Sequence, residues 1–186
     1  MNHIKNKKEL EATIEEIRKF AYSYLEKYSP SQQQLKTYLF KKIIKKGQKK
    51  TDKKELFSLI DIVTNDLIDK NFISDKYYSD SKSKIFLRKG YSLNKIRYSL
   101  IKKGIDQKYI KASISKIKEQ EIDPDFFSAI KICKKRRIGP VREENNRSLF
   151  YKKDIGILAR SGFSYEISKK ILEIPKDEFK RLCKLI

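Results

Sequence analysis

Side chains that could carry out catalysis are few in this chain of 186 residues. It has one histidine, His3, and two cysteines, Cys133 and Cys183. Histidine acid–base catalysis, a Ser-His-Asp triad and a His-rich metal site all need more than this. The six glycines stand singly, so neither a P-loop nor a dinucleotide-binding glycine motif occurs. A carboxylate-only mechanism stays open, but no acidic cluster indicates one, and the sequence predicts a binding protein with no cofactor and no metal rather than an enzyme.

Basic side chains greatly outnumber acidic ones in this chain. Lys and Arg number 45 against 24 Asp and Glu, a formal net charge of +21. Basic residues are densest in two segments, 88–118 and 131–153. Such density attracts phosphate without reading a base sequence, and it fits an acidic protein surface equally well. Most of the cations are lysines, and an A/T-rich genome produces that bias without selection for binding. The competing interpretation is therefore that these lysines are solvated surface charges with no binding role.

The two basic segments contain the residues most suited to contact a partner. Arginines rank first because a planar guanidinium makes bidentate pairs with carboxylate or phosphate. The second segment begins with cations that end a predicted helix, where they also favour the helix dipole, so a capping role competes with binding. The candidates are Arg88, Lys89, Lys95, Arg97, Lys102 and Lys103 in the first segment and Lys134, Arg136 and Arg137 in the second.

Apolar residues recur at helical spacing along the whole chain. One amphipathic helix is predicted from Leu10 to Tyr28, and Ser29-Pro30 is predicted to cap the next, with Gln32 completing a capping box. No period-two alternation occurs, so the fold is predicted to be all-α. Aromatic residues on these apolar stripes could stack on bases, but their positions favour core packing, and Cys133 is expected to be a buried thiol. These aromatic residues are Tyr24, Tyr78, Phe86, Phe126 and Phe127.

The predicted helices come in groups of three, which indicates an internal repeat. Leu100 to Asp106 and Leu158 to Ser164 share one pattern, in which a helix ends on glycine, an apolar residue follows, and Asp or Ser caps the next helix. We therefore predict a tail at 1–11 and three-helix repeats at 12–73, 74–121 and 122–186. Each repeat has too small a core to be stable alone, so neighbouring repeats are expected to stack.

Three segments of the chain resemble the RecX family, regulators of the bacterial recombinase RecA. The middle one reads Asn71-Phe72-Ile73-Ser74-Asp75-x-x-Tyr78, then Lys89-Gly90-Tyr91-Ser92-x-x-x-Ile96-Arg97-x-x-Leu100-x-x-Lys103-Gly104-Ile105-Asp106. The first has Ala21-x-x-Tyr24-Leu25, Tyr28-Ser29 and Leu35-x-x-x-Leu39. The last has Lys134-x-x-Arg137 and Leu158-Ala159-Arg160-Ser161-Gly162-Phe163-Ser164. Together these segments span about residues 12–173.

The resemblance implies a fold of three tandem three-helix repeats, elongated and curved. It implies binding to the RecA–DNA filament and inhibition of its ATPase, its growth and strand exchange, within DNA repair, recombination and the SOS response. Two departures are the stretch 45–54, an extended basic loop in the first repeat, and Ser168, where the family tends to have an apolar residue.

Two further expectations concern location and the alternative function. No run approaches the roughly 20 apolar residues of a membrane span, and the basic N-terminus lacks the apolar core of a signal peptide. A cytoplasmic protein without membrane contact is expected, acting as a monomer on the RecA filament and on the DNA phosphate backbone. The alternative is a RecA-independent, sequence-nonspecific helical nucleic-acid-binding protein.

Overall fold

The computed structural model describes residues 13–45 and 52–186, and both stretches are helical. Within them no strand occurs, which confirms the all-α prediction. A short 3-10 turn, Gly139–Val141, follows the seventh helix. The α-helices are α1 (Ile14–Leu25), α2 (Gln32–Lys45), α3 (Lys53–Asp69), α4 (Asp75–Arg88), α5 (Leu93–Ile101), α6 (Gln107–Gln120), α7 (Pro124–Arg136), α8 (Glu144–Arg160), α9 (Tyr165–Leu172) and α10 (Lys176–Leu182).

The chain forms two compact units, the first ending at Tyr78 and the second beginning at Ser79. In the first unit, α1, α2 and α3 enclose one apolar cluster, to which each helix contributes residues spaced three or four apart. This cluster is Ile17, Ala21, Leu35, Leu39, Ile43, Leu56, Ile60, Val63, Leu67 and Ile73.

The first helix is shorter than the sequence predicted. Thr13 caps its start, where its hydroxyl accepts a hydrogen bond from the Glu16 amide, and the helix ends at Leu25. Leu10 lies outside the described residues. Tyr28 lies after the helix and is 58% exposed, so its place on the predicted apolar stripe was wrong. The chain turns away from the core before that residue.

The start of α2 differs by two residues from the prediction. Ser31, not Ser29, is the N-cap, and Pro30 precedes it. The Ser31 hydroxyl accepts from the Gln34 amide at 3.2 Å, and the Gln34 side chain accepts from the Ser31 amide at 3.2 Å. The capping box is real, but it joins these two residues rather than Ser29 and Gln32.

The second unit has its own apolar cluster, built from α7 to α10. Ile130 of α7, Leu158 of α8 and Ile171 of α9 are its fully buried centre, and Phe179 closes it from α10. Ser168 is buried, and its hydroxyl donates to the Ser164 carbonyl, so α9 packs through Ile171 and Leu172. The departure at Ser168 therefore leaves the packing of α9 intact.

The contact between α4 and α6 is polar by comparison. The hydroxyls of Ser79 and Ser113 lie 2.8 Å apart, and Ser113 donates to Asp80 at 2.6 Å. Lys116 completes this group with an ion pair to the other oxygen of Asp80. Serines let two helices approach closely while satisfying their own hydroxyls, so α4 depends on hydrogen bonds as well as on apolar burial.

Both predicted glycine joints have the expected geometry. Gly104 and Gly162 have φ of 75° and 87°. After each of them the next amide, of Ile105 or Phe163, returns to the carbonyl of Leu100 or Leu158. This bonding pattern ends a helix with a left-handed residue and points the following apolar side chain back to the core.

Two hydrogen bonds join the middle helices of the second unit to its last ones. Ser92 caps α5 by accepting from the Lys95 amide, and its hydroxyl donates to the Ser161 carbonyl at 3.0 Å. Asp125 of α7 accepts from the Leu93 amide at 2.6 Å. These bonds support stacking of consecutive three-helix groups, while the boundaries at 12–73, 74–121 and 122–186 stay a prediction.

Of the five aromatic side chains predicted for the core, Tyr78 is buried and the other four are half-buried. Tyr78 is 6% exposed, and Tyr24 stacks on Tyr38 with ring centroids 4.0 Å apart. The remaining three pair with a neighbouring ring, Phe86 with Tyr91 and Phe126 with Phe127. The basic loop predicted at 45–54 falls largely on residues 46–51, outside the described ones, and its ends were wrong, since Lys45 ends α2 and Lys53 and Lys54 begin α3. Across the described part of the chain, no helix combines the length and apolar character that crossing a membrane demands.

Candidate interaction site

Helix α5 presents two of the candidate cations, Arg97 and Lys102, on its outer side. Ser92 fixes its start, and Ile96 and Leu100 are fully buried. Since side chains three and four apart share a side of a helix, the opposite side faces solvent. We call this surface the α5 face; its exposed residues are Asn94, Arg97, Tyr98, Ile101 and Lys102.

Lys95 is not part of that surface. Its ammonium lies 4.6 Å from the centroid of the Tyr91 ring, and its side chain is only partly exposed. A cation over an aromatic face is attracted by the ring quadrupole. Lys95 therefore contributes at least in part to packing at the start of α5.

Arg88 and Lys89 lie at the end of α4. Gly90 comes two residues after the end of α4 and its backbone lies close to α7, because a side-chain carbon there would come within 3.2 Å of the Ser128 carbonyl. Arg88 lines a cleft of about 230 Å³ between the ends of α4 and α6, beside Lys84. Both candidates are exposed, and cations at this end of a helix are stabilised by its dipole.

The second group of candidates ends α7, as predicted. Lys134 and Arg136 are in the last turn, and Arg137 is the left-handed C-cap with φ of 53°. All three are exposed. Both the capping and the binding role stay compatible with this placement.

The structure thus distributes the nine candidates over three helix ends and one helix side rather than over one pocket. Lys102 and Lys103 follow the last turn of α5. Within residues 13–45 and 52–186, eight candidates are without a carboxylate partner within 4.0 Å. These are Arg88, Lys89, Lys95, Arg97, Lys102, Lys134, Arg136 and Arg137.

Arg142 and Arg147, two basic residues of the second segment, have internal roles that the sequence did not reveal. Arg142 binds the buried Asp154 through Nε and Nη2, at 2.7 and 2.8 Å, and the Gly139 amide donates to the same carboxylate. Arg147 donates to the carbonyls of Leu172, the last residue of α9, and of Ile174 beyond it. The available signal was Asp154 itself, an acid four residues before Leu158 on the apolar side of α8.

Neither cysteine is a promising nucleophile. Burial raises the pKa of the Cys133 thiol to about 12, and burial also raises the pKa of Cys183. A thiol reacts as thiolate, so Cys133 is inert at neutral pH. Among the described residues no group of His, Cys, Asp and Glu is arranged to hold a metal ion.

Fold and surface together define a class: an all-helical protein that, over its described residues, exposes a set of cations without a carboxylate partner. No protein-family model matches the chain. It is 24% identical over 156 residues to the regulatory protein RecX of Myxococcus xanthus (strain DK1622), covering 82% of each chain. Its fold is similar to the crystal structure of RecX from Lactobacillus salivarius, with a TM-score of 0.58 and 19% identity over 93% of this chain and 97% of that one. These similarities confirm the resemblance to the RecX family.

Proposed function

We propose that this protein is a regulator of RecA that binds the RecA–DNA filament and inhibits its ATPase, its growth and strand exchange. By binding RecA protomers it restrains the subunit movements that hydrolysis and strand exchange require. The protein acts without catalysis of its own, in the cytoplasm and as a monomer.

The observation that carries this proposal is the similarity to the regulatory protein RecX over 82% of both chains. The shared helical fold supports it, since that likeness covers nearly the whole length of each protein. Sequence similarity over 82% of both chains, rather than over one segment, favours a shared mode of action over a borrowed domain.

The exposed cations supply the contacts in this proposal. Unpaired guanidinium groups such as Arg97 and Arg137 have free donors for a carboxylate of RecA or a DNA phosphate. Fully solvated charges cost little to keep exposed, and binding to DNA then gains from releasing the counterions condensed on its phosphates.

A second candidate function has one observation in its favour. Eight candidate cations lack a carboxylate partner in the described part of the chain, and such a surface would bind nucleic acid without any recombinase. This protein would then be a sequence-nonspecific nucleic-acid-binding protein.

The test is DNA-dependent ATP hydrolysis by the RecA of the same organism. The protein is titrated at concentrations well below that of DNA in nucleotides, at low and at moderate salt. We expect substoichiometric inhibition that persists at moderate salt, because each bound molecule acts on a filament of many protomers.

Loss of hydrolysis that follows DNA coverage and vanishes with salt would favour the second function. Phosphate contacts alone weaken steeply as salt rises. Hydrolysis that is unchanged at every concentration, while the protein binds DNA alone, would contradict the proposed regulator.

A further inference from the structure

The α5 face has a counterpart inside the same chain. Helices α2 and α5 both begin at a capping serine, Ser31 and Ser92. Fully buried residues follow four and eight positions later in each, Leu35 and Leu39 in α2 and Ile96 and Leu100 in α5. Positions counted from the cap therefore match, and Lys36 and Phe40 of α2 correspond to Arg97 and Ile101 of α5.

On α2 this side is covered by partners from α3. The Lys36 ammonium lies 2.7 Å from a carboxylate oxygen of Asp61, and the Phe40 ring stacks on Phe57 with centroids 4.8 Å apart. Lys36 and Phe40 are accordingly only partly exposed. The first unit thus satisfies this helix side internally.

On α5 the corresponding partners are missing from the described structure. Phe57 and Asp61 lie five and nine residues after Asp52, the N-cap of α3. The residues five and nine positions after Asp106, the N-cap of α6, are Lys111 and Ser115. A hydroxyl stands in place of the carboxylate, and a further cation in place of the ring. As a result Arg97 is exposed and Ile101 is 40% exposed, and Tyr98 beside them is 59% exposed.

The matching side of α8 carries different residues. Leu158 of α8 corresponds to Leu100 of α5. The α8 residues that match Arg97, Tyr98, Ile101 and Lys102 are therefore Ile155, Gly156, Ala159 and Arg160. No aromatic side chain occurs among them. The combination of arginine, tyrosine, an aliphatic residue and lysine therefore distinguishes the α5 face from both counterparts.

We infer that the α5 face, extended by Lys111 of α6, docks onto an acidic protein surface with an apolar centre. Arg97, Lys102 and Lys111 match the acidic part by charge. Tyr and Arg are the residues that most often dominate the energy of protein interfaces. Ile101 gains free energy only by leaving water against an apolar group, which a phosphate backbone lacks.

This inference rests on the proposed function for the name of the partner. The acidic surface belongs to a RecA protomer in the filament, and Tyr98 is the central apolar anchor of the contact. The charged rim of such an interface mainly increases the association rate, whereas the anchor slows dissociation.

The test compares three single variants in binding to nucleotide-bound RecA filaments and to the same single-stranded DNA without RecA. Tyr98→Ala removes the anchor, and Arg97→Glu reverses the charge. Lys41→Glu is the matched control, because it makes the same charge change at an exposed site of α2. Far-ultraviolet circular dichroism checks that each variant keeps its helical content.

We expect Tyr98→Ala and Arg97→Glu to weaken filament binding by roughly tenfold or more. The control should weaken it by less than about twofold, and Tyr98→Ala should leave binding to DNA alone within about twofold. That combination supports a protein partner at the α5 face.

Three results would overturn the inference, and they differ from one another. Equal losses of filament and DNA binding for Tyr98→Ala would mean that the face binds nucleic acid. Filament binding of Tyr98→Ala at the wild-type level would remove the face from the interface while the proposed function stands. Wild-type protein that fails to bind filaments would overturn the proposed function, and with it the partner named here.

Discussion

At the scale of single residues, Asp154 is the most constrained charge that the structure describes. Its side chain is 1% exposed, and it accepts from the Gly139 amide and twice from the Arg142 guanidinium. Hydrogen bonding to Asp154 in turn raises the pKa of Arg142. A buried carboxylate is tolerable only when its oxygens are paired in this way, so Asp154 and Arg142 fix the 3-10 turn against α8.

We expect Asp154→Ala to lower the free energy of unfolding by about 3–5 kcal/mol, because it leaves a guanidinium and an amide without their acceptor. Urea denaturation followed by circular dichroism measures this. Asp177→Ala is the control, since Asp177 is 85% exposed and its pair with Lys180 is worth at most about 1 kcal/mol. Equal effects of the two substitutions would contradict the structural role of Asp154.

Two other aspartates are predicted to respond to pH with opposite sign. Burial raises the pKa of Asp125, whereas the hydrogen bond from Lys70, aided by Arg18, lowers the pKa of Asp66. A raised pKa favours the folded state below the unfolded value of about 3.9, and this advantage is lost as pH rises through the folded value. A lowered pKa favours the folded state above about 3.9, and this advantage is lost as pH falls.

Asn variants of both residues test these signs. Between about pH 3.5 and 6, the stability of wild type relative to Asp125→Asn should fall as pH rises, while its stability relative to Asp66→Asn should rise. Urea midpoints across that range measure both differences. Parallel slopes for the two variants would show that local environment does not set these pKa values.

At the scale of helices, the joints between elements were largely readable from the sequence. Glycine followed by an apolar residue and a capping side chain predicted both helix ends at Gly104 and Gly162, because that bonding pattern is local. The start of α2 was missed because Ser29 and Ser31 each precede a Gln three residues later. Only the turn of the chain decides which serine reaches the helix amides.

We expect Gly162→Ala to destabilise the protein by at least about 2 kcal/mol. Its φ of 87° disfavours a side chain, and an added carbon would lie 2.5 Å from the Ser92 hydroxyl that joins α5 to Ser161. Thermal unfolding measures the loss.

Gly156→Ala is the matched control within α8. There the nearest atom to an added carbon is 3.4 Å away, at the flexible end of Arg160, and alanine favours a helix. The control should be stabilised by about 0.5–1 kcal/mol. If both glycines tolerate alanine, the close contact at Ser92 is wrong.

At the scale of the whole molecule, the all-helical fold and the resemblance to RecX were predictable, while the accessible charges were not. Lys36 and Arg97 look alike in sequence, each one residue after a buried position of an amphipathic helix. Their difference arises from Asp61, 25 residues away on another helix, and such pairing depends on tertiary packing. The same reason hid the internal roles of Arg142 and Arg147.

The net charge of +21 predicts that salt stabilises this protein. Like charges repel one another in the compact state, and counterions screen that repulsion. Raising NaCl from about 20 to 200 mM should therefore raise the melting temperature at pH 7. The rise should be larger at pH 4, where fewer carboxylates oppose the cations. A fall in melting temperature would mean that attractive pairs such as Lys36 with Asp61 outweigh the repulsion.

Because Cys133 is buried in the apolar cluster of α7 to α10, its reaction with a thiol reagent can report the opening of that cluster. With Cys183 replaced by serine, the chain would carry a single thiol, that of Cys133, in the packing of α7 to α10. A small alkylating reagent could reach that sulfur only when the surrounding helices separate. The rate at which Cys133 is alkylated would then measure how often this cluster opens spontaneously in the native protein. The measurement needs no introduced label and can be made on the free protein and on the protein bound to a filament.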